Sequence, residues 1–399
     1  MFFPRQLAQS FRTYLKQYPI VSITGPRQSG KTTLAKKIAQ HYQYISLEDP
    51  DHREYALTDP RGFLSVYSRQ VIFDEIQKAP KLFSYLQSQV DHQPEPGRFI
   101  ITGSQQFLLN KQISQTLSGR VARLTLLPLS LAELHQRPKQ DLWFSGQLEK
   151  IQAPNASLYH HLITGLYPRI YEHQLSPYQF YRDYVDTYVT RDLQQLIKVG
   201  DLRLFHIFLR MLAARCGQKV NLTALGNDLG LSHVTIRRWL SVLEASYIIR
   251  LLEPYYKNFN KRLIKSPKIY FLDTGLLCYL LRIQREADLP YHTHIGGIFE
   301  TFVISELVKT FYHQDQSPPL YFWQEKSGKE IDVIIDHGLS NQLPLEIKAS
   351  QTVTKGFFTN LIYWRHLDGN HKKTGYLVYG GDQYQLREHV QVLPWYAIS

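Results

Sequence analysis

The sequence has little cysteine and no long apolar run, and each shortage disfavours a class of protein. Only two of the 399 residues are cysteines, Cys216 and Cys278, and they do not form a CxxC pair. Neither a thiolate zinc site nor a disulfide framework is expected, so the pattern favours a reducing, cytoplasmic compartment. No stretch of about 18 apolar residues occurs, and we expect no membrane span. The opening segment MFFPRQLAQSFRTYL lacks the apolar core of a secretory signal.

Acidic residues are fewer than basic ones. The chain has 34 Asp and Glu against 46 Lys and Arg, a formal net charge of +12. A basic surface attracts polyanions, and nucleic acid in particular, because binding releases condensed counterions. The charge therefore favours DNA as a partner, although many basic proteins bind none.

Three regions follow one another along the chain. Residues 1–134 alternate short apolar runs with helical patterns, which is typical of a parallel α/β sheet. We predict strands in IVSIT, YISL, QVIFDE, RFIITGS and VARLTLLPL. The polar segment HQRPKQDLWFSGQ, with its Pro and Gly, is a candidate linker.

The other two regions differ in pattern. Residues 148–255 are mostly helical, and aromatic residues at helical spacing in YQFYRDYVDTYVTRDLQQL are expected to form helix contacts. Residues 256–399 combine predicted strands, including LYFWQE, EIDVIID, LPLEIKA and TGYLVYG, with the helix FETFVISELVKTF. This last region is predicted to be a separate α/β unit.

The segment ITGPRQSGKTTL has the spacing of a phosphate-binding loop between a predicted strand and an amphipathic helix. Glycines let backbone N–H groups surround a phosphate, and the helix N-terminus adds its positive dipole end. We expect the lysine to reach the β- and γ-phosphates and the following threonine to hold Mg²⁺. The predicted ATP-binding residues are Gly25, Pro26, Arg27, Gln28, Ser29, Gly30, Lys31, Thr32 and Thr33.

The segment VIFDE supplies the second half of such a site. An apolar strand ends in Asp74 and Glu75. Asp74 is predicted to hold Mg²⁺ together with Thr32, and Glu75 to orient or deprotonate the attacking water. The next core strand, FIITGS, places Thr102 or Ser104 near the γ-phosphate, although either residue is equally explained as a cap of a turn.

Arg120 precedes the last predicted strand of the first region, in SGRVARL. A guanidinium there is a candidate arginine finger, acting in its own chain or from a neighbouring subunit of a homo-oligomer. Arg120, or the nearby Arg123, is equally explained as a structural arginine.

These segments resemble a prokaryotic branch of the AAA-superfamily ATPases. The resemblance rests on GPRQSGKTTL, VIFDEIQKAPKLFSYL, FIITGSQQFLL and LSGRVARLTLLPLSLAEL. The segments YPRIYE, KRLIKSPKIYFLDTGLLCYLL and GGIFETFVISELVK resemble the uncharacterised C-terminal domain of that branch. The resemblance implies ATP binding and hydrolysis, and a C-terminal part similar to the restriction-endonuclease fold.

The segment NLTALGNDLGLSHVTIRRWLSVLEASYII fits a winged helix-turn-helix. A first helix ends near Gly230, and Ser232 caps a second helix. In DNA-binding proteins the second helix enters the major groove, so His233, Thr235, Arg237 and Arg238 would face DNA, the two arginines being our predicted DNA contacts. A role in protein–protein contact stays equally open.

The segments GKEIDVIID and LPLEIKAS predict a hairpin that brings Asp332, Glu346 and Lys348 together. They resemble the PD-(D/E)xK nuclease pattern, although Ile331 stands where that pattern has proline. The two carboxylates, with Glu300 from the preceding helix, would hold a divalent cation, and Lys348 would support the nucleophile or the phosphate. Two charges on one face of a strand are also common without any such role.

The combined interpretation is an α/β chain: a P-loop NTPase sheet (1–134), a helical region with a winged helix (148–255) and a restriction-endonuclease-like domain (256–399). We expect an Mg²⁺-dependent ATPase coupled to a DNA-binding module, with nuclease activity left open. Two alternatives remain. The first is a regulatory ATPase that acts through protein partners and has an inactive nuclease-like domain. The second is an ATP-driven DNA translocase or toxin-like effector.

Overall fold

The computed structural model describes residues 2–103, 113, 116–137, 151–189, 202–256, 266–338, 341–367 and 374–398. These residues fall into two compact units. The first contains residues 1–129 with two later segments, Ala245–Tyr247 and Phe311–Gln316, and the second contains the rest. Among the described residues, no helix has both the length and the apolar character needed to cross a bilayer.

The first unit is built on a five-stranded parallel sheet. Its strands are β1 (Ile20–Thr24), β2 (Gln43–Ser46), β3 (Val71–Asp74), β4 (Phe99–Gly103) and β5 (Val121–Thr125). All five strands predicted from the sequence are present. Their order is β2-β3-β4-β1-β5, so β4 separates β1 from β3. The helices are α1 (Ala8–Leu15), α2 (Lys31–Ile38), α3 (Pro50–Thr58), α4 (Pro60–Val66) and α5 (Leu82–His92).

Both faces of the three central strands, β1, β3 and β4, are buried, which explains why these strands read as nearly continuous apolar runs. One core gathers Phe73, Phe99 and Phe83 under α4 and α5. The other gathers Val21, Ile23 and Leu34 under α1 and α2. Because parallel strands end at a common edge, the segments that follow β1, β3 and β4 meet there.

The second unit begins with helices. They are α6 (Leu131–Leu134), α7 (Leu158–Thr164), α8 (Pro168–His173), α9 (Pro177–Tyr184), α10 (Leu202–Ala214), α11 (Leu222–Leu229) and α12 (His233–Ala245). Aromatic residues of α9 pack on Tyr167, which directly precedes α8; the ring centres of Tyr167 and Tyr184 are 5.1 Å apart. The predicted role of these aromatics as helix contacts is confirmed for the described residues.

The rest of the second unit combines two sheets. A small antiparallel pair joins β6 (Ile249–Leu252) to β7 (Lys268–Phe271), and α13 (Thr274–Leu280) and the long helix α14 (Ile295–His313) follow. A six-stranded mixed sheet then contains β8 (Leu320–Gln324), β9 (Glu330–Asp336), β10 (Gln342–Lys348), β11 (Gly375–Tyr379), β12 (Gln385–Arg387) and β13 (Val390–Pro394). Helix α15 (Thr359–His366) packs Leu361 and Trp364 against this sheet.

The strand order of the large sheet is β12-β13-β11-β10-β9-β8. The pair β9–β10 is antiparallel, with Leu345 opposite Val333, so the hairpin predicted from the sequence is present. The sequence interpretation missed β12, β13 and α15. The predicted domain boundary between residues 255 and 256 falls inside this unit and stays a prediction. Most of the predicted linker HQRPKQDLWFSGQ lies outside the described residues.

Candidate nucleotide site and carboxylate cluster

The loop between β1 and α2 has the backbone conformation that a phosphate cradle requires. Gly25 has φ 148° and Gly30 has φ 95°, which L side chains rarely adopt. A β-carbon at Gly25 would lie 2.1 Å from the main-chain oxygen of Leu126. Gln28 also has a positive φ, 61°. Helix α2 begins directly after Gly30, so its free N–H groups face the loop.

Lys31 lies inside this loop. Its Nζ donates hydrogen bonds to the carbonyl oxygens of Gly25 at 3.1 Å and of Pro26 at 2.7 Å. Burial lowers the pKa of Lys31 to about 8, although the nearby carboxylates of Glu75 and Asp74 oppose the shift. The ammonium is therefore held at the centre of the loop, within reach of any anion that the loop binds.

Asp74, at the end of β3, accepts hydrogen bonds from three hydroxyl groups. Thr32 of α2 donates to its two carboxylate oxygens at 3.0 and 3.1 Å. Tyr44 of β2 donates at 2.8 Å, and the fully buried Thr102 of β4 donates as well. Burial and the charge of Asp74 raise the pKa of Tyr44 to about 12. The structure thus brings Thr32, Asp74 and Thr102 together, whereas Ser104 lies outside the described residues.

Glu75 follows Asp74 in a strained backbone conformation. Its φ is 54° and its ψ is 45°, in the left-handed region. Such strain in a residue other than glycine costs about 1–3 kcal/mol and is concentrated at functional sites. The amide of Gln77 donates a hydrogen bond to the Glu75 carboxylate. The turn therefore holds this side chain beside the loop rather than in the line of β3.

Arg5 is a residue of this site that the sequence interpretation missed. Arg5 is only 7% exposed, and its guanidinium donates to the main-chain oxygen of Ser29 at 2.7 Å. It also donates to the oxygen of Leu127, just beyond β5, at 2.6 Å. Tyr247 is a second missed residue, since its hydroxyl lies 3.3 Å from that of Thr24, directly before Gly25. Arg5 belongs to no motif, and Tyr247 lies at the end of the helix-turn-helix segment, which gives no sign of a contact with the phosphate loop.

Arg120 does not lie at the nucleotide site of its own chain. It precedes β5, whose first residue Val121 pairs with Ile20 at the start of β1. The phosphate loop follows the other end of β1, four residues or about 13 Å away. The guanidinium instead pairs with Asp91, with one nitrogen–oxygen distance of 2.9 Å. The structure thus does not bring Arg120 to the phosphate loop of its own chain, and its role as an arginine finger, in this chain or in a neighbouring subunit, stays a prediction.

In the second unit, the β9–β10 hairpin brings Asp332, Glu346 and Lys348 together. Lys348 Nζ lies 2.5 Å from Glu346 and 3.1 Å from Asp332. The backbone N–H of Ile347 also donates to Asp332 at 2.8 Å. Burial, followed by the charge of Asp332, raises the pKa of Glu346 well above its usual range. A carboxylate that is 1% exposed is therefore held beside a second one by a single lysine.

Glu300, on α14, has different partners. Its carboxylate accepts a hydrogen bond from the Tyr270 hydroxyl at 2.5 Å and lies 3.6 Å from Lys268 Nζ. Burial, followed by the charge of Asp332, raises the pKa of Glu300. Lys268, a buried residue that the sequence interpretation missed, is also paired with Glu330. Among the described residues, no three His, Cys, Asp or Glu side chains are grouped so that they could hold a metal ion together.

The helix-turn-helix segment forms two helices joined by a short turn. Helix α11 ends at Leu229 and is capped by Gly230, with φ 65°. The Ser232 hydroxyl accepts a hydrogen bond from the backbone N–H of Thr235 at the start of α12. Trp239 anchors α12 on α10 through Phe208, with ring centres 5.1 Å apart. His233, Arg237 and Arg238 are exposed, and Thr235 is half-buried.

Comparison with protein families divides the chain in three. Residues 17–135 match the family described as an AAA domain. Residues 155–287 match a domain of unknown function, DUF8612, and residues 295–398 match another, DUF4143. The match to the AAA domain contains the phosphate loop, Asp74 and Glu75, whereas Arg5 precedes it.

The chain is 31% identical over 335 residues to the uncharacterized protein Rv2008c of Mycobacterium tuberculosis, covering 83% of this chain and 71% of the relative. It is 22% identical over 334 residues to the uncharacterized protein MJ1544 of Methanocaldococcus jannaschii, covering 78% and 71%. Among solved structures, the Walker-type ATPase PABY2304 of Pyrococcus abyssi aligns with a TM-score of 0.45 at 14% identity, covering 70% of this chain and 96% of that one.

Proposed function

Because this chain belongs to the AAA-superfamily ATPases, in one family with the protein Rv2008c of Mycobacterium tuberculosis, we propose that it hydrolyses ATP with Mg²⁺ to control a DNA-directed C-terminal part. The observation that carries the first half is the contact of Thr32 with Asp74 at 3.0 Å. A hydroxyl from the phosphate loop and a carboxylate from β3 meet there, next to a buried lysine.

Each residue of the loop has a defined task in this proposal. The backbone N–H groups from Arg27 to Lys31 bind the β-phosphate, since the glycine conformations turn the loop inwards. The Lys31 ammonium binds the β- and γ-phosphates. Because it is already held inside the loop, little side-chain entropy is lost when the nucleotide enters. Thr33 is exposed at the start of α2, from where it would be able to contact the phosphates.

The Thr32 hydroxyl and the Asp74 carboxylate suit Mg²⁺, because it prefers oxygen ligands and usually keeps several waters. Mg²⁺ bound there would neutralise charge on the β- and γ-phosphates. Tyr44 and Thr102 fix the Asp74 carboxylate by hydrogen bonds. Glu75 accepts the proton of the attacking water, and Gln77 holds the Glu75 side chain.

ATP hydrolysis and nucleotide affinity test this assignment. Lys31→Ala should abolish ATP binding, while Lys37→Ala, an exposed lysine of the same helix, should leave it unchanged. Glu75→Gln should retain ATP binding and lower kcat by about 100-fold or more, the usual size for a lost general base. Normal ATP affinity in Lys31→Ala would refute the site, and unchanged turnover in Glu75→Gln would remove Glu75 from its role.

The second half of the proposal concerns nucleic acid. It is supported by the exposed basic pair Arg237 and Arg238 in the second turn of the anchored helix α12, and by the net charge of +12. The hairpin that gathers Asp332, Glu346 and Lys348 supports a phosphodiester-directed site in the same unit. The competing function is a regulatory ATPase that acts through protein partners, with these carboxylates serving only as internal ion pairs.

A further inference from the structure

A cleft in the second unit lies among helices α7, α9 and α13 and the segment that follows α13. Its volume is about 310 Å³, which is at the small end of ligand pockets and suits a small molecule. Among the described residues that line it there is one carboxylate, Glu286, and neither a lysine nor an arginine. A lining of this composition disfavours an anion as the ligand.

Two walls of the cleft are the aromatic rings of Tyr178 on α9 and Tyr279 on α13. The ring centres are 5.2 Å apart and the ring planes meet at 61°, so the two rings form a corner instead of a stack. Tyr178 is 40% exposed. The face of an aromatic ring carries partial negative charge and attracts a cation within about 6 Å of its centre. The corner is therefore suited to an ammonium group.

The buried ring of Tyr181 forms the floor of the cleft, and its surroundings hold it in one position. A β-carbon at Gly275 would lie 2.6 Å from the Tyr181 hydroxyl oxygen, and one at Gly165 would lie closer still. The hydroxyl donates a hydrogen bond to the main-chain oxygen of Thr164 at 3.2 Å. The floor is thus formed before a ligand enters, which lowers the ordering cost of binding.

A buried negative charge lies next to this floor. Asp273 is 4% exposed, and its carboxylate accepts hydrogen bonds from the backbone N–H groups of Leu166 at 2.9 Å and Leu276 at 3.0 Å. No lysine, arginine or histidine in the described part of the chain forms an ion pair with it. Burial, followed by the charge of Asp273, raises the pKa of Tyr181 well above its usual range. This carboxylate therefore adds a negative potential from behind the floor.

The carboxylate of Glu286 stands at the mouth of the cleft, and two side chains hold it there. Its Oε1 lies 2.8 Å from His160 Nδ1, and the Ser157 hydroxyl donates to Oε2 at 3.3 Å. Each oxygen of a carboxylate can accept two hydrogen bonds, so both can accept one more. A neutral imidazole makes its contact through Nδ1–H, which leaves the negative charge of Glu286 in place. The mouth thus offers a charged acceptor to an ammonium group.

Nearby charges outside the lining act in both directions. Burial, followed by the charge of Asp186, raises the pKa of Tyr279, while the positive charges of Arg210 and Arg182 oppose this shift. Neither arginine lines the cleft, and Arg182 is paired with Asp183 at 2.9 Å. The preference for a cation therefore comes from the lining and from the carboxylate behind the floor.

We propose that this cleft binds a small alkylammonium ion. The ammonium group lies against the rings of Tyr178 and Tyr279 and pairs with Glu286, while the aliphatic chain packs against Ile163 and Ile283, which line the same cleft. The site goes beyond the proposed function, because it shares no residue with the nucleotide site, the exposed arginines of α12 or the β9–β10 hairpin.

Isothermal titration calorimetry of the full chain, without nucleotide or DNA, tests the proposal with n-butylammonium as the probe. n-Butanol and butyrate have an alkyl chain of similar length, so they separate the effect of charge from that of apolar packing. We expect saturable binding of n-butylammonium, about tenfold weaker binding of n-butanol, and no binding of butyrate. Equal affinity for n-butanol and n-butylammonium, or no binding of n-butylammonium, would overturn the proposal.

Variants of the lining test the position of the ligand. Tyr178→Leu/Tyr279→Leu keeps the walls apolar and should weaken n-butylammonium binding about tenfold. Glu286→Gln should weaken it about threefold, because this carboxylate is partly exposed. The control variants Tyr291→Leu and Glu172→Gln change exposed residues outside the cleft and should bind as the wild type does. Wild-type affinity in the double tyrosine variant would refute the site.

Gly275→Ala tests the floor, since its methyl group would displace the Tyr181 ring into the cleft and should abolish binding. Its folding is checked by its melting temperature, and if it does not fold the variant of the two wall tyrosines still decides. Nα-acetyl-lysine methylamide distinguishes two sources of the cation. Binding as tight as that of n-butylammonium would assign the site to a lysine side chain of a protein, and weaker binding to a free amine. ATP hydrolysis is measured separately, so failure of the proposed function would leave this result unaffected.

Discussion

Arg5 donates a hydrogen bond to the main-chain oxygen of Ser29 at 2.7 Å, and a second one to Leu127 at 2.6 Å. One guanidinium thereby ties the phosphate loop to the segment after β5. Holding the Ser29 carbonyl away from the loop centre leaves the neighbouring N–H groups free to face an anion. Arg5 is thus a positioning residue of the nucleotide site.

Substitution of Arg5 by lysine should weaken ATP binding about tenfold, since a point charge cannot make the forked contact. The expected change is in KM rather than kcat, because Arg5 lies behind the loop. ATP affinity and steady-state kinetics check this. Arg12→Lys, at an exposed position of α1, is the matched control. Equal ATP affinity in Arg5→Lys and wild type would contradict the positioning role.

The Thr102 hydroxyl is predicted to hold the Asp74 carboxylate in the orientation that hydrolysis needs. Thr102→Val keeps the shape of this fully buried side chain but removes its donor. We expect kcat to fall about tenfold or more, at a cost of about 1–3 kcal/mol for a lost buried hydrogen bond. Thr102→Ser should restore most of the rate. A Thr102→Val enzyme with wild-type kcat would show that Asp74 needs no such support.

The exposed arginines of α12 are predicted to contact DNA phosphates. Arg237→Ala/Arg238→Ala should weaken duplex binding. It should also reduce the slope of log K against log salt concentration by the amount expected for the loss of about two phosphate contacts. Fluorescence anisotropy at several salt concentrations measures both quantities. The double substitution Arg203→Ala/Arg210→Ala on α10, whose arginines are exposed, is a charge-matched control. Identical salt slopes in the two double variants would favour a protein partner for this surface.

Nuclease activity is predicted to depend on the β9–β10 hairpin. Incubation with Mg²⁺ or Mn²⁺ and linear, supercoiled or single-stranded DNA should give cleavage that Asp332→Ala and Glu346→Ala each abolish. Removal of the cation with a chelator should also stop it. If instead DNA stimulates ATP hydrolysis and no cleavage occurs, the carboxylates serve as internal ion pairs and the binding function is favoured.

Acid is predicted to destabilise the second unit through His161. This imidazole is 1% exposed, and neither ring nitrogen has a hydrogen-bond partner among the described residues. Burial, with the nearby groups His135, His160 and Arg137, lowers its pKa to about 3.

The low pKa of His161 sets the direction in which stability changes with pH. Below pH about 6.5 the unfolded chain binds a proton at His161 that the folded chain does not bind until about pH 3. Stability is therefore complete above pH 6.5 and falls with acid by up to about 1.4 kcal/mol per pH unit. Denaturant unfolding at pH 7, 6 and 5 should show this slope in the wild type and a smaller one in His161→Leu. The exposed His173→Gln is the control, and equal slopes in wild type and His161→Leu would refute the role.

The parts of the nucleotide site that could be predicted are those whose chemistry requires particular residues close together in sequence. A strand, a glycine-rich turn and a helix must be consecutive to form a phosphate loop, so Gly25 to Thr32 could be identified as a unit. Asp74 and Glu75 could be placed because parallel strands end at one edge of a sheet. The β9–β10 hairpin was predictable for a similar reason, since its alternating pattern specifies register.

The remaining residues were decided by contacts distant in sequence. Arg5 reaches Leu127 across 122 positions, and Lys268 pairs with Glu330 across 62. The placement of β4 between β1 and β3 brings Thr102 to Asp74. The parallel pairing of β5 with β1 places Arg120 at the end of the sheet opposite the phosphate loop. The alternation of apolar and polar residues predicts which face of a strand is buried, because this pattern involves only residues adjacent in sequence. Which strand lies beside which, and which charge enters a buried site, depends on the packing of the whole chain.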